Sequence, residues 1–590
     1  MNDLLYNELV ATPGFELDFA VGTTYSLDAQ AYLALGLAFA RLGETDTDGN
    51  ANIYGMIRGV MNAGKKIALF FNRGGLKPPV RSNPLYAMLD KSVFEVYEKR
   101  RGHELANFHP KIWVIKEHLI EDPSIRQIKL VVLSRNLTLD TSLDIATSIS
   151  SRIGNERNPD LIQKHEPLKK FLLELATYAN KEKSKKIRKL ADDIDFLERF
   201  KLESPYEDYD LIPLHFGMNL NEIVDIKKDM QTVSSIVVSP FIDFATLDWM
   251  TSYGTTSPKI LITRLESVTP EIFDLYSRKQ REIWVPNPEL VSNDISPMNL
   301  HAKMYFTSYP RNSSDKHLWL GSSNATKNAF ERNSEFLLRL KYETKKHLFS
   351  NFKDIFCDEK KQLFIKLEKL PEINDASNKA SAFEMQVRKH LICNKTLRAK
   401  VTENHGTYLI TIKSGRIKPI DGKIYFAPIQ EPNNRVEFVD GSCIIEVSNP
   451  SHLSEFYIIC AEPSDPEESP VTVTLKIETS GIPEDRDNLI LNNYFKKEDD
   501  FLNYVELILT DTPLSLMESW STAEDKNGSC APKASPFRAG SIYESMLRLA
   551  ASNPDRLREL DEIISRLEGG NAVSPSFISM YQTIKEAIKK

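Results

Sequence analysis

The sequence predicts an α/β protein built from two similar lobes, followed by a β-rich region and a helical C-terminal region. Three observations carry this. Five strand-like segments occur in order in the first part of the chain and recur in the same order later. Helix-length stretches separate several of them, the alternation expected of a sheet rich in parallel pairs. Beyond about residue 395 the pattern changes to short apolar runs divided by turns.

In the first copy the strands are FELDFAVGTTYSLD (15–28), KKIALFFN (65–72), SVFEVYEK (92–99), NFHPKIWVIK (107–116) and IKLVVLSRNLT (128–138). In the second they are SSIVVSPFID (234–243), PKILITR (258–264), REIWVPN (281–287), NLHAKMYFTS (299–308) and HLWLGSSNAT (317–326). The first strand of each copy runs into a helix-like segment, and Asp28 and Asp243 stand where an N-cap is expected. His109 and His301 are 192 residues apart, so each copy is domain-sized and the two are expected to face one another across a pseudo-two-fold axis. The expected divisions are a first lobe (1–158), a helical connector (159–205), a second lobe (206–345), a helical linker (346–394), a β-rich, sandwich-like accessory domain (395–482) and a C-terminal helical region (483–590). The basic run KEKSKKIRK (181–189) in the connector reads first as a solvated helix face.

Composition narrows the class. The chain is 41% hydrophobic and 27% charged, and no apolar run reaches the eighteen or so residues of a membrane span. Its first twenty residues do not read as a signal peptide, so a cytoplasmic location is expected. A net charge of −7 argues against indiscriminate coating of nucleic acid but leaves room for one local basic cleft. The cysteines (357, 393, 443, 460 and 530) form no C-x-x-C pair and read as reduced thiols rather than a zinc site.

The chemistry-bearing residues come in pairs. Each copy holds a His-x-Lys on its fourth strand, His109 with Lys111 and His301 with Lys303. Residues two apart on a strand point the same way, so each imidazole is expected beside its ammonium, with Ile112, Val114, Met304 and Phe306 turned to a core. Each fifth strand then ends in a serine and a carboxamide, Ser134-Arg135-Asn136 and Ser322-Ser323-Asn324, groups able to donate to phosphate oxygens. One such pair would be incidental. The same set in the same order twice is not. His103, His118 and His317 have no counterpart in the other copy and read as structural or exposed.

These paired H-x-K and S-x-N motifs resemble the phospholipase D superfamily, over roughly residues 10–345. The resemblance implies two phospholipase D-like lobes sharing one site and a metal-independent phosphodiesterase with no cofactor. Two departures bear on substrate. The fullest family motif has an Asp seven residues after the His, where this chain has Lys116 and Ser308. Branches that act on nucleic acid, including tyrosyl-DNA phosphodiesterases, also lack it. Leu133 stands where the first copy would have Gly. The resemblance further implies that an acidic group downstream orients each imidazole, and Glu335 and Asp144 are the candidates.

The implied mechanism has His109 as nucleophile forming a phosphohistidine, and His301 protonating the leaving group and then activating water. Lys111, Lys303, Asn136 and Asn324 would hold the non-bridging oxygens, with Ser134, Ser322 and Arg135 as supporting donors. The expected partner is nucleic acid, DNA foremost, with no membrane and with a protein partner or oligomer contacted through the C-terminal domains. The leading reading is a nuclease or DNA-processing enzyme, with antiphage defence as its context. A phospholipase or phosphatidyl transferase, or a non-catalytic nucleic-acid-binding scaffold, are the alternatives.

Overall fold

The computed structural model describes residues 8–39, 53–79, 82–99, 102, 105–139, 142–216, 226–231, 234–254, 257–288, 299–308, 316–342, 348–358, 363–370, 381–415, 417–509, 539–552, 557–567 and 572–588. His103 and Cys530 lie outside the described residues.

The first lobe is a six-stranded sheet: β1 (Phe15–Thr24), β2 (Ile67–Asn72), β3 (Val93–Val96), β4 (Ile112–Leu119), β5 (Arg126–Leu133) and β6 (Ala146–Arg152), in the order β3-β2-β1-β4-β5-β6. The second lobe repeats it with β8 (Ser234–Val238), β9 (Lys259–Ile262), β10 (Arg281–Pro286), β11 (Met304–Ser308), β12 (Lys316–Gly321) and β13 (Glu335–Tyr342) in the order β10-β9-β8-β11-β12-β13. Two further strands lie at its edges, β7 (Tyr206–Leu214) beside β13 and β14 (Phe364–Lys366) beside β10. β1 is parallel to β2 and antiparallel to β4, and β8 is likewise parallel to β9 and antiparallel to β11.

All ten expected strands are present, with two differences. Only the β1–β3 and β8–β10 halves are parallel; β4–β6 and β11–β13 are antiparallel. The chain between β4 and β5 is too short for the crossover that a parallel pair requires. Each lobe also has a sixth strand outside the expected ten: β6 lacks apolar alternation, whereas β13 carries it at Phe336, Leu338, Leu340 and Tyr342. The expected helical linker departs too: after the helix Leu348–Phe356 the strand Phe364–Lys366 extends the second sheet, with Phe364 buried against Phe356.

Period-two alternation then builds the core. Ile112, Val114, Ile128, Leu130 and Val132 of the first lobe share one buried cluster with Ile236, Val238, Met304, Phe306, Leu318 and Leu320 of the second. Their sequence neighbours Trp113 and Ile115 belong to a cluster on the far side of the first lobe, and Tyr305 and Trp319 to one on the far side of the second. The connector is two helices, Pro159–Leu175 and Lys181–Asp193, which insert Phe171, Leu172, Leu175, Ile187 and Leu190 into the shared cluster. In the basic run, Lys183 is buried and donates to the Lys65 carbonyl, while Lys185 and Lys189 are exposed.

The β-rich region is a sandwich. Arg398–Asn404, Thr407–Lys413, Ser442–Val447 and Thr479–Ser480 form one sheet, and Gly422–Pro428, Val436–Glu437, Phe456–Pro463 and Val471–Lys476 lie in the other, with Val401, Ile410, Phe426, Ile445 and Ile459 buried between them. The second sheet continues into the first lobe, because Leu76 pairs with Thr474 and Leu27–Asp28 adds beyond Leu76–Lys77.

Candidate active site

Each His-x-Lys lies in the extended stretch just ahead of its strand, β4 or β11, rather than within it. In the first lobe Pro110 has no N–H to give a ladder. The backbone here pairs instead with the other lobe. His109 N donates to Ser334 O at 2.8 Å and Ser334 N to Asn107 O at 2.9 Å. In the mirror position His301 N donates to Leu143 O at 3.0 Å and Leu143 N to Asn299 O at 2.8 Å. The same two-bond bridge therefore occurs twice, which is what a pseudo-two-fold axis through the site requires.

The strand ends show the same correspondence. Ser134 N donates to Ile145 O and Ile145 N to Ser134 Oγ; Ser322 N donates to Phe336 O and Phe336 N to Ser322 Oγ. Asp144 and Glu335, each preceding one of these partners, are thus equivalent. Ser134 Oγ donates to Asp144 at 2.8 Å and Ser322 Oγ to Glu335 at 2.5 Å. A hydroxyl has a single hydrogen, so in this arrangement neither serine donates to a phosphate. They fix the carboxylates, which corrects the expectation of direct hydroxyl donors.

The carboxylates reach across the axis. Glu335 of the second lobe bonds Nδ1 of His109 in the first at 2.8 Å, and Asp144 of the first lobe bonds Nδ1 of His301 in the second at 3.0 Å. Each lobe therefore orients the other's imidazole. With Nδ1–H held by a carboxylate, Nε2 is the nitrogen left for chemistry. Lys111 and Lys303 each return one hydrogen bond to the carbonyl of their own histidine, at 3.0 and 2.7 Å. Two ammonium hydrogens remain on each.

The groups are close enough to set each other's ionisation. Burial, then the charges of Lys111 and Lys303, hold His109 well below the usual imidazole range. Burial and Lys303 bring His301 down to about 4, against the opposing pull of Asp144. Burial lowers Lys303 to about 7 and Lys111 well below the usual ammonium range, Lys303 adding to the latter. Burial raises Glu335 to about 7, although Lys111 opposes it. Burial would raise Asp144 also, but the bond from His301 and the hydroxyls of Ser142 and Ser134 hold it down to about 2. Four cation-forming groups thus surround a space in which their positive forms are disfavoured, an environment that an anion relieves.

The carboxamides sit at equivalent points of the strand-end loops. Asn136 Oδ1 accepts from Tyr25 N at 3.3 Å, which leaves its NH2 as the donor for a ligand. Asn324 Oδ1 is buried without a hydrogen-bond partner. Arg135, between Ser134 and Asn136, is buried and donates to Thr138 O at 3.2 Å. Lys116, where the longer motif would have Asp, is bonded to Asp193 of the connector at 2.5 Å. His118 pairs with Asp18 at 2.7 Å, consistent with a structural role. Asp243 caps its helix by accepting from Thr246 N, as expected.

Residue-level reading missed Tyr25, whose ring lies 5.1 Å from that of His109 and 6.0 Å from Lys111 Nζ. It missed Arg264 too, which donates to Leu300 O at 2.8 Å beside His301. Neither has a matching residue type in the other copy, so duplication gave no signal for them.

No family model matches the chain, and no curated protein does. Solved structures resemble it in chain course. A yeast tyrosyl-DNA phosphodiesterase mutant is 11% identical, with a TM-score of 0.36 over 58% of this chain and 85% of that one. A phosphatidylserine synthase from Haemophilus influenzae is 11% identical, with a TM-score of 0.36 over 66% and 90%. NucT from Helicobacter pylori is 15% identical, with a TM-score of 0.21 over 26% and 96%. At such TM-scores the likeness carries no weight for function, which rests on the geometry above.

Proposed function

We propose that the chain is a two-histidine phosphodiesterase acting on nucleic acid, DNA foremost. The observation that carries this is the crossed pair of imidazole–carboxylate bonds, His109–Glu335 and His301–Asp144, around Lys111 and Lys303. In-line displacement at phosphorus requires a nucleophile on one side and a proton donor on the other, and two oriented imidazoles from opposite lobes meet that requirement.

His109 Nε2 attacks phosphorus. The bond to the leaving oxygen breaks, its electron pair goes with that oxygen, and His301 supplies the proton. The phosphohistidine is then attacked by water, which gives its proton to the now neutral His301, and the P–N bond breaks to restore His109. Lys111, Lys303 and the amide groups of Asn136 and Asn324 bear on the non-bridging oxygens as charge builds. Binding of the phosphate anion raises the affinity of His301 for the proton it must donate. Glu335 and Asp144 hold the tautomers and offset the imidazolium charge, and Ser322 and Ser134 hold the carboxylates.

The test is cleavage of labelled single- and double-stranded DNA and RNA in EDTA by the wild type, His109→Ala and His301→Ala. Cleavage is expected to persist in EDTA and to fall by about a thousandfold or more in each variant. With an activated leaving group, His301→Ala is expected to accumulate an adduct on the peptide containing His109. Activity of pure protein that EDTA abolishes, or that survives both substitutions, sinks the proposal.

A further inference from the structure

A cleft of about 810 Å³ opens beside the site where the first lobe, the second lobe, the linker and the β-sandwich meet. Its volume lies within the roughly 300–1,000 Å³ typical of sites that hold a ligand segment. It is joined to the candidate site through backbone. Asn107 and Asn333, which line it, are each two residues ahead of His109 and Glu335, and Asn107 N donates to Asn333 Oδ1 at 3.0 Å. Two extended residues span only about 7 Å, so the cleft begins within a short reach of the reacting imidazole.

Its charge is unlike that of the chain as a whole. Across the sequence Asp plus Glu outnumber Lys plus Arg, 82 to 75. Among the fourteen described residues lining the cleft there are four bases, Arg332, Arg388, Lys389 and Lys418, and no carboxylate. Arg332, Lys389 and Lys418 are exposed. They come from three parts of the chain: Arg332 from the second lobe, Arg388 and Lys389 from a π-helical turn (Arg388–Ile392), and Lys418 from the sandwich. Arg388 is fixed in place by donating to Asn107 Oδ1 and to Leu105 O, which pins the turn against the first lobe. Four asparagines add hydrogen-bonding groups, beside an apolar part of comparable extent to which Leu105, Ala106 and Met385 belong. Four bases and four carboxamides on one surface suit an extended, multiply charged phosphate backbone.

We infer that this cleft holds the phosphodiester chain flanking the scissile bond, so that the linker and the β-sandwich are part of the substrate-binding path of the proposed nuclease. This deepens the phosphodiesterase reading and rests on it for the purpose of the bound chain; the binding itself is measured without turnover.

The experiment is fluorescence anisotropy with a labelled 20-nucleotide single-stranded DNA and the full chain at several KCl concentrations, every protein carrying His109→Ala to stop cleavage. Lys389→Glu with Lys418→Glu is compared with Lys185→Glu plus Lys189→Glu, exposed residues of the connector helix whose substitution changes net charge equally. The cleft pair is expected to weaken binding by about tenfold or more and to reduce the salt slope by about 1.4, from roughly 0.7 per lost phosphate contact. The connector pair is expected to bind as the parent does. Equal losses in both pairs, an unchanged cleft pair, or no binding by the parent at low salt each overturn the inference. Cleft-dependent binding by a chain whose wild type cleaves nothing would remove the nuclease reading and leave the cleft. Cleavage by the wild type with an unchanged cleft pair would do the reverse.

Discussion

At the residue scale, two kinds of information about the site differ in how they are written in the sequence. His109, Lys111, His301, Lys303 and the paired asparagines were legible because duplication separates a repeated motif from coincidence. The pairing of each imidazole was not, since Glu335 lies 226 residues from His109, and Asp144 lies 157 from His301. Only the packing of the two lobes makes them neighbours. The crossed arrangement predicts the effect of removing either charge. Glu335→Gln or Asp144→Asn keeps the shape, loses the carboxylate and can present an amide N–H to Nδ1, favouring the wrong tautomer. A loss in kcat of about a hundredfold to ten-thousandfold is expected in steady-state kinetics, with KM moving far less. A KM effect alone would mean that the carboxylates only shape the pocket. The ionisation states predict a pH profile as well. Attack needs neutral His109, whose pKa is held below the ordinary 6.5 by burial and by Lys111 and Lys303. The part of the acid limb of kcat/KM set by His109 is therefore expected below pH 6.5, activity falling as pH drops through that pKa, after an earlier loss as the Glu335 carboxylate gains its proton at about 7. Lys303→Met removes a cation that penalises imidazolium, so it raises that pKa and moves the limb to higher pH. A limb that stays fixed would separate the limb from His109.

At the element scale, ten strands were legible because their apolar residues alternate or run continuously, whereas β6, ATSISSR, offers mostly hydroxyls at the sheet edge and reads as a loop. Yet Asp144 lies in the β5–β6 connection and Glu335 opens β13, so the two strands outside the expected ten are those that place the carboxylates. The two copies also solve the strand end differently. Gly321 has φ +153° and its absent Cβ would lie 2.1 Å from Phe336 O, the carbonyl that receives Ser322 N. Leu133, at the corresponding point of β5, pairs with Ala146 and is 4% exposed within the core of the first lobe. The Leu133 side chain thus belongs to the core behind the sheet. Exchanging the solutions is expected to fail in both directions. Gly321→Leu should push Phe336 and Glu335 away from Ser322, costing about 2 kcal/mol or more in urea unfolding together with activity. Leu133→Gly should cost roughly 2–5 kcal/mol through its cavity, with less effect on the remaining activity of folded protein. Equal, small shifts in both midpoints would contradict this account of the strand ends.

At the scale of the whole molecule, the C-terminal helices bear on how separable the parts are. Their three- and four-residue apolar spacing was legible, but spacing shows a face and not what covers it. In the fold that face packs on the first lobe: Tyr504, Ile508, Met546, Ile563 and Phe577 share a buried cluster with Ile57 and Val60 of the helix Ile53–Lys66 and with Trp113 of β4. Arg58 bonds Glu559 at 2.9 Å, and Arg486 bonds Asp90 at 2.6 Å, across the same junction. The helix Ile53–Lys66, on which the helix Glu498–Leu509 packs, itself lies on β1 and β2 of the sheet from which a site lysine extends. A chain ending at residue 482 is therefore expected to lose more than a peripheral module. It would expose to water an apolar surface on Ile53–Lys66, which is strongly destabilising, and would remove the partners of Arg58 and Asp90. Limited proteolysis should then cleave within the first lobe under conditions that leave the full chain intact, and size-exclusion chromatography should show aggregates. A truncated chain that stays monodisperse and melts at the temperature of the full protein would establish instead that the helices dock on a lobe already complete without them.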